Sequence, residues 1–247
     1  MPRAFASVPP ESSLLVVDAE SSDATVALAQ ARGARTIVRP WAGFVAARRF
    51  ALGEVTTPWT FMLDADEALD AELRAALTRA PSNGDIAGYT VARSTYFCGR
   101  PMRAGAWGRE TPLRLFRTTA AALHAHPAGP SRAELHERWT VAGPVAQLAG
   151  TLHHYSYPSV RAYIEKFARY TSLEAQSAPA SPRTMVIALA FAAARVPWLL
   201  VRRGAWRDGW RGWFIAVASA LYPVAVAWKA MRIGTSGAQA VTKAPRS

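Results

Sequence analysis

Three acidic residues close an apolar run in Phe61-Met62-Leu63-Asp64-Ala65-Asp66-Glu67. In an extended segment residues i and i+2 point the same way, so Asp64 and Asp66 bring two carboxylates to one side of a turn. Two hard oxygen donors so placed suit Mg²⁺ or Mn²⁺ shared with a diphosphate. Such an ion neutralises charge on a leaving nucleotide diphosphate. The competing reading is a solvated acidic turn that caps the next helix, because D-x-D alone is a common pattern. A second apolar run, Leu14-Leu15-Val16-Val17, ends in Asp18, and Asp23 and Thr25 follow on the turn into a helix. A carboxylate at a strand end can accept hydrogen bonds from a base or ribose. Ser22 or Asp23 can also simply cap the helix, and both uses can hold at once.

Other residues could join such a site. Arg114 and Arg117 alternate with Leu115 and Phe116, which fits a strand with one charged face. An arginine there could contact phosphate, or the face could be merely solvated. His136-Glu137 and His153-His154 are further polar pairs. The single cysteine, Cys98, cannot form an internal disulfide and has no zinc-type spacing around it, which fits a reducing cytosol and a structural thiol.

The elements that position these residues alternate. Leu14–Val17, Thr36–Val38 and Trp59–Leu63 read as strands; Ser22–Ala34, Phe44–Leu52 and Asp70–Thr78 read as helices. That alternation predicts an α/β fold, a parallel sheet with its site at the strand ends. From Tyr89 to Tyr157 the elements look shorter, with strands at Gly88–Arg93 and Leu113–Arg117, and the Gly- and Arg-rich loop Gly99–Arg109 is expected to be mobile. Val160–Ala175 is an amphipathic helix, and Pro179 and Pro182 mark a break.

The net charge of +12 is concentrated at one end: from Arg183 onward there are ten Lys and Arg against one acid, Asp208. Five of the nine tryptophans lie there too, with two apolar runs. Basic, apolar and tryptophan-rich together suit an anionic membrane surface better than a nucleic-acid groove. Gly212–Trp228 is an uncharged run of seventeen residues interrupted by Pro223, against the roughly 20 a spanning helix needs. Thr184–Val201 contains Arg195 and Pro197. If both spanned, the four arginines of Arg202–Arg211 would lie opposite the rest of the chain, against the positive-inside bias. Helices lying in the interface are therefore expected, the alternative being a soluble helical subdomain. Met1–Pro10 holds three prolines and too short an apolar stretch for a signal peptide, so the catalytic part is expected on the cytoplasmic side.

In order along the chain, Asp18-x-x-x-x-Asp23-x-Thr25, Trp41-Ala42-Gly43-Phe44, Asp64-Ala65-Asp66-Glu67, Arg114-Leu115-Phe116-Arg117, Leu135-His136-Glu137 and His153-His154-Tyr155-Ser156-Tyr157 resemble the family 2 glycosyltransferases. The nearer resemblance is to the lipopolysaccharide-core subgroup. Lys166 with Tyr170-Thr171, and Arg207-Asp208-Gly209 before an apolar tail, extend it to about Arg232. The family's opening strand with its Asn-Glu pair has no counterpart before Leu14, and Arg49-Phe50 stands where the family often has Arg-Asn or Lys-Asn. The resemblance implies a GT-A-like, Rossmann-like domain over residues 12–157, a helical membrane-associating region over 158–234 and a disordered tail over 235–247. It implies an inverting transfer from a nucleotide sugar, a UDP-sugar, to a lipid-linked or lipopolysaccharide acceptor at the cytoplasmic face of a bacterial inner membrane.

The residue roles implied are Glu137 as the base, Asp64 and Asp66 at a Mg²⁺ or Mn²⁺ ion, and Asp18, Asp23, Asp64 and Arg114 at the donor. His136 and His154 stand near them. Each role has a plainer counterpart: a surface Glu137 beside Arg138, a packed His136, strand-end histidines at 153 and 154. At the level of the whole chain the alternative is a catalytically degenerate, membrane-bound relic or partner-binding module.

Overall fold

The computed structural model describes residues 1–80, 84–108, 110–125 and 137–242, with side chains left out at 125, 137, 138 and 234–242. The described residues form two compact units, one of 1–96, 110–125 and 137–156, the other of 97–108 and 157–242.

In the first unit, α1 (Pro2–Ser7) precedes β1 (Leu15–Asp18), α2 (Thr25–Ala31) and β2 (Arg35–Val38). β1 and β2 pair in parallel, Leu15 opposite Arg35 and Asp18 opposite Val38. Gly43 then turns the chain into α3 (Phe44–Gly53) at φ +95°, a conformation that favours glycine. This explains the Gly of the Trp-Ala-Gly-Phe segment, and Trp41 meets Phe44 edge-on across it. The remaining strands are β3 (Trp59–Phe61), β4 (Glu67–Leu69), β5 (Gly88–Phe97), β7 (Leu113–Arg117) and β10 (Val145–Tyr157), with α4 (Ala71–Arg79) after β4. They form a sheet in the order β3-β7-β5-β10-β4. A separate antiparallel ribbon joins β8 (Ala121–Ala125) to β9 (Glu137–Val141).

The expectation of one parallel sheet is corrected: β3 pairs antiparallel with β7, as do β7 with β5 and β4 with β10. β3 is not bonded to β1. Consecutive residues of both strands, Leu14–Val17 and Trp59–Leu63, instead line a cleft of about 520 Å³. Consecutive lining residues mean that backbone edges, not single faces, border this gap. The elements after Tyr89 are also longer than expected, since β5 spans 10 residues and β10 spans 13.

Leu115 of β7 packs into a cluster with Leu69, Leu73, Tyr89, Val91 and Leu152, whereas neighbouring Phe116 packs with Val45, Leu123 and Trp139. Successive strand residues point to opposite faces, so β7 is covered on both. Asp70 caps α4 by accepting from the Leu73 N–H at 2.7 Å, and its other oxygen accepts from the Thr151 N–H at 2.8 Å. Gly150 makes this junction possible: φ is +89°, and a Cβ there would lie 2.2 Å from the Leu73 nitrogen.

The second unit holds β6 (Arg100–Pro101), α5 (Val160–Ala175), α6 (Pro182–Pro197) and α7 (Gly209–Thr242). Ser159 and Ser181 cap α5 and α6, and Pro182 occupies the first turn of α6, where its missing N–H costs nothing. The loop expected to be mobile is tied down. Cys98 and Gly99, both at positive φ, make a tight turn into β6. The Asp208 carboxylate then accepts from the Arg103 and Ala104 N–H groups, and Gly105 N–H donates to the Arg203 carbonyl. α7 continues helical to Thr242, where a disordered tail was expected from 235; this stretch has no proline to stop it.

Pro182–Arg202 and Ala205–Ile233 are each long and apolar enough to cross a membrane by length and composition. Only 22% and 33% of their apolar windows are buried within the chain. Exposed apolar side chains are frequent on the first, among them Val186, Ile187, Leu189 and Phe191, whereas on the second most are buried or half-buried, with Trp213, Val217, Leu221 and Trp228 exposed.

Candidate active site: an arginine and carboxylate cluster at the end of β3

β3 ends at Phe61, and the chain turns through Asp64-Ala65-Asp66 into β4. Glu67, the last acid of the motif, is fully buried. It accepts from the Asp64 N–H at 3.0 Å and from the Arg114 guanidinium, with Arg93 at 3.5 Å. Arg114 comes from the middle of β7 and is itself buried, on the same side of the strand as Phe116. It also donates to Asp64 Oδ2 at 2.9 Å, while Arg48 of α3 donates to Asp64 Oδ1 at 2.6 Å. Burial pushes the Asp64 carboxyl up, but Arg114 first and Arg48 next outweigh it and hold it at about 2. Arg93 and Thr95, two residues apart on β5, both reach Glu110, at 2.9 and 3.3 Å.

Asp66 sits at the open side of the cluster, its side chain 42% exposed, with His154 Nε2 at 3.4 Å from Oδ2. His154 lies opposite Glu67 in the β4–β10 register, and its Nδ1 is 3.4 Å from Thr95 Oγ1. His153 points the other way, to the Tyr96 hydroxyl at 3.3 Å. Of the residues singled out by sequence, the fold thus gathers Asp64, Asp66, Arg114 and His154. Arg117 is not on a shared charged face with Arg114, since i and i+3 of a strand point oppositely. It stacks over Trp59 and donates to the Gly84 and Ile86 carbonyls.

Asp18 and Asp23 use their carboxylates locally. Buried Asp18 accepts from the Ser21 N–H at 2.8 Å, and exposed Asp23 accepts from the Thr25 N–H at 2.9 Å. The Thr25 hydrogen bonds lower the Asp23 pKa. Neither contact bars a ligand role, because each carboxylate keeps further lone pairs. His136 and the side chain of Glu137 lie outside the described residues; Glu137 opens β9, its backbone opposite Ala125.

Sequence reading missed Arg48, Arg93, Glu110 and the burial of Glu67. The signal available was weak: Arg93 and Thr95 share period-two spacing, and Arg48 lies mid-helix among apolar neighbours.

The family model for glycosyl transferase family 2 matches residues 6–128. The lipopolysaccharide core biosynthesis glycosyltransferase LpsC of Rhizobium meliloti (strain 1021) is 31% identical over 229 residues, 87% of this chain and 81% of that protein. The chain belongs to glycosyl transferase family 2. An uncharacterized glycosyltransferase of Rickettsia felis is 46% identical over 61 residues, 25% of this chain and 22% of its own. A solved structure titled S. aureus TarS 1-349 aligns over 97% of this chain and 88% of its own, with a TM-score of 0.38 and 13% identity.

A family 2 glycosyltransferase transfers a sugar. Among the described residues no three His, Cys, Asp and Glu side chains group into a ready ion site. A divalent ion would have to complete its shell with ligand oxygens and water, as Mg²⁺ does in phosphate sites. Asp66, open to solvent, fits that use. Asp64 fits it less well, since each of its oxygens already receives a guanidinium N–H. Among the described residues, Arg114 Nε is buried without a hydrogen-bond partner.

Proposed function

We propose that the chain is an inverting, metal-assisted hexosyltransferase using a nucleotide-diphosphate sugar, a UDP-sugar, and a lipopolysaccharide-core or other lipid-linked acceptor. The observation that carries this reading is the clustering of arginines and carboxylates at the end of β3. Arg48, Arg93 and Arg114 face Asp64, Asp66, Glu67 and Glu110. Asp64, Glu67 and Glu110 are each paired with arginine, while Asp66 is exposed beside His154. A divalent ion at Asp66 would neutralise phosphate charge as the leaving group departs. Asp64, fixed by two arginines, orients the turn and can accept from donor hydroxyls; Arg114 holds both acids in place. Asp18 and Asp23, at the end of β1, are assigned to the base and ribose.

In the transfer, the acceptor oxygen bonds to the anomeric carbon as the bond from that carbon to the diphosphate oxygen breaks. The hydroxyl proton passes to Glu137, and the nucleoside diphosphate leaves. His154, beside Asp66, and His136, the residue before Glu137 in the sequence, are proposed as supporting groups. The acceptor assignment follows from the likeness to LpsC, whose name places it in lipopolysaccharide core biosynthesis. It also follows from the outward apolar surface of α6 and α7, which together with the tail's basic charge suits the cytoplasmic face of an inner membrane without spanning it.

The test is calorimetric titration of UDP into the full chain with and without Mn²⁺. Asp66→Asn is expected to weaken Mn²⁺-dependent binding by at least about tenfold, the order of loss for one charge-assisted contact. Metal-dependent affinity unchanged in both Asp66→Asn and Asp64→Asn would overturn the assignment.

A further inference from the structure

The helical unit contains an open groove of about 910 Å³ between α5, α6 and α7, with an almost wholly apolar wall. Phe167 lies on the α5 side and Met185 on α6. Along α7 the wall runs from Trp213 through Leu221 and Ala225 to Trp228. Fifteen residues of helix separate the two tryptophans, about 22 Å at 1.5 Å per residue. Both indoles are about half exposed. This volume suits a slender ligand. A partner helix about 10 Å across would fill it within about eight residues, whereas small-molecule sites run to roughly 300–1,000 Å³.

Charge gives the groove a direction. At its Trp228 end, the Arg232 guanidinium sits over the indole at 4.9 Å, and Lys229 is one residue beyond Trp228. Lys229 donates to the Ala168 carbonyl and to the Thr171 and Ser172 hydroxyls. The same pairing of guanidinium on tryptophan recurs around this unit, with Arg203 over Trp198, Arg207 over Trp206 and Arg211 over Trp210. A tryptophan ring with a cation on it is amphipathic, suited to the boundary between acyl chains and anionic headgroups.

We infer that this groove holds one acyl chain of an anionic membrane lipid, with its headgroup at the Trp228–Arg232 end and its methyl end toward Trp213. The site rests on the membrane-face reading above and deepens it. A helix unit merely floating on the bilayer would meet many chains on its outer face; this one selects a single chain and draws it between helices. The consequence is that lipid is held at a fixed place on the helical unit.

The experiment uses the full chain on vesicles of phosphatidylcholine with 30% phosphatidylglycerol, a fraction of the latter carrying a diazirine on one acyl chain. Cross-linked residues are mapped by mass spectrometry after irradiation. A diazirine near the carboxyl end should label Ala225 and Trp228, and one near the methyl end should label Trp213 and Phe214. Ala225→Trp should fill the groove and reduce that labelling several-fold while the protein still sediments with vesicles. Leu221→Gln, at a 44% exposed position, serves as a second variant and should do the same. Labelling that instead falls on the outer face of α6, at Val186, Ile187 and Phe191, and ignores both substitutions would overturn the inference while leaving membrane association intact. A chain that stays in the supernatant overturns the membrane reading and the groove assignment with it.

Discussion

Arg114→Met tests how the site is braced. The substitution keeps length and removes the guanidinium from a buried position. Glu67, with no exposed surface, then loses its closest cation and keeps Arg93 at 3.5 Å and the Asp64 N–H. Breaking a buried pair from one side costs about 3–5 kcal/mol, mostly from the charge left behind. Arg93 remains near, so the expected loss is at the low end, about 3 kcal/mol. For a chain of this size each kcal/mol moves the melting midpoint by about 2–4 °C, so a fall of roughly 6–12 °C should follow. Urea unfolding monitored by circular dichroism gives the free energy directly. The double variant Arg114→Met/Glu67→Leu removes both charges and should recover most of the loss. A single variant costing under about 1 kcal/mol, or a double variant worse than the sum of the two singles, would refute the idea that Arg114 and Glu67 compensate each other.

Asp64 gives an acid limb. Its carboxyl titrates near 3.8 when unfolded and at about 2 when folded, so between these values the unfolded chain binds more protons and stability rises with pH. Its contribution is complete above about pH 4 and lost toward pH 2, and Asp64→Asn should flatten that limb of an acid-unfolding curve. Gly150→Ala forces a side chain to a positive φ and into the start of α4, so it should destabilise by about 2 kcal/mol or more in urea. Glu137→Gln should lower turnover by about 10²-fold while UDP still binds, and turnover within a few-fold of the parent would remove Glu137 from the base role. Membrane-bound protein should loosen in high salt and leave in alkaline carbonate; full resistance to carbonate with a protected tail would show a span instead.

What could be seen in the sequence was whatever repeats over short range. The apolar runs before Asp18 and Asp64, the helix from about Asp70 and the strand at Leu113–Arg117 all depend on neighbours within a few residues, and all are present. The antiparallel order of the sheet was not visible, because it is set by where the 13-residue β10 returns between β5 and β4. The loop after Cys98 was misread for the same reason. Its glycine and arginine content suggests mobility, but the carboxylate that ties it belongs to Asp208, 104 residues past Ala104. Burial of Glu67 escaped detection because an acid at a turn is usually solvated. Its two distant partners, Arg93 and Arg114, together with the nearby Asp64 N–H, make burial tolerable.

These partners also divide the two aspartates of the motif. A strand places Asp64 and Asp66 on one side, which alone suggests two equivalent ligands for one ion. The fold makes them unequal. Asp64 is held by guanidinium groups from α3 and β7, so its geometry is fixed before any donor arrives and its negative charge is already spent on the protein. Asp66 is 42% exposed with an imidazole beside it, so an ion arriving from solvent can reach it. A rigid, neutralised first acid beside an exposed second one lets the turn be preorganised without strongly repelling a diphosphate. On this view Asp64→Asn should act chiefly on stability and donor orientation, and Asp66→Asn chiefly on the dependence of binding on Mn²⁺. Equal loss of metal dependence in both variants would restore the symmetric picture that the sequence alone suggests.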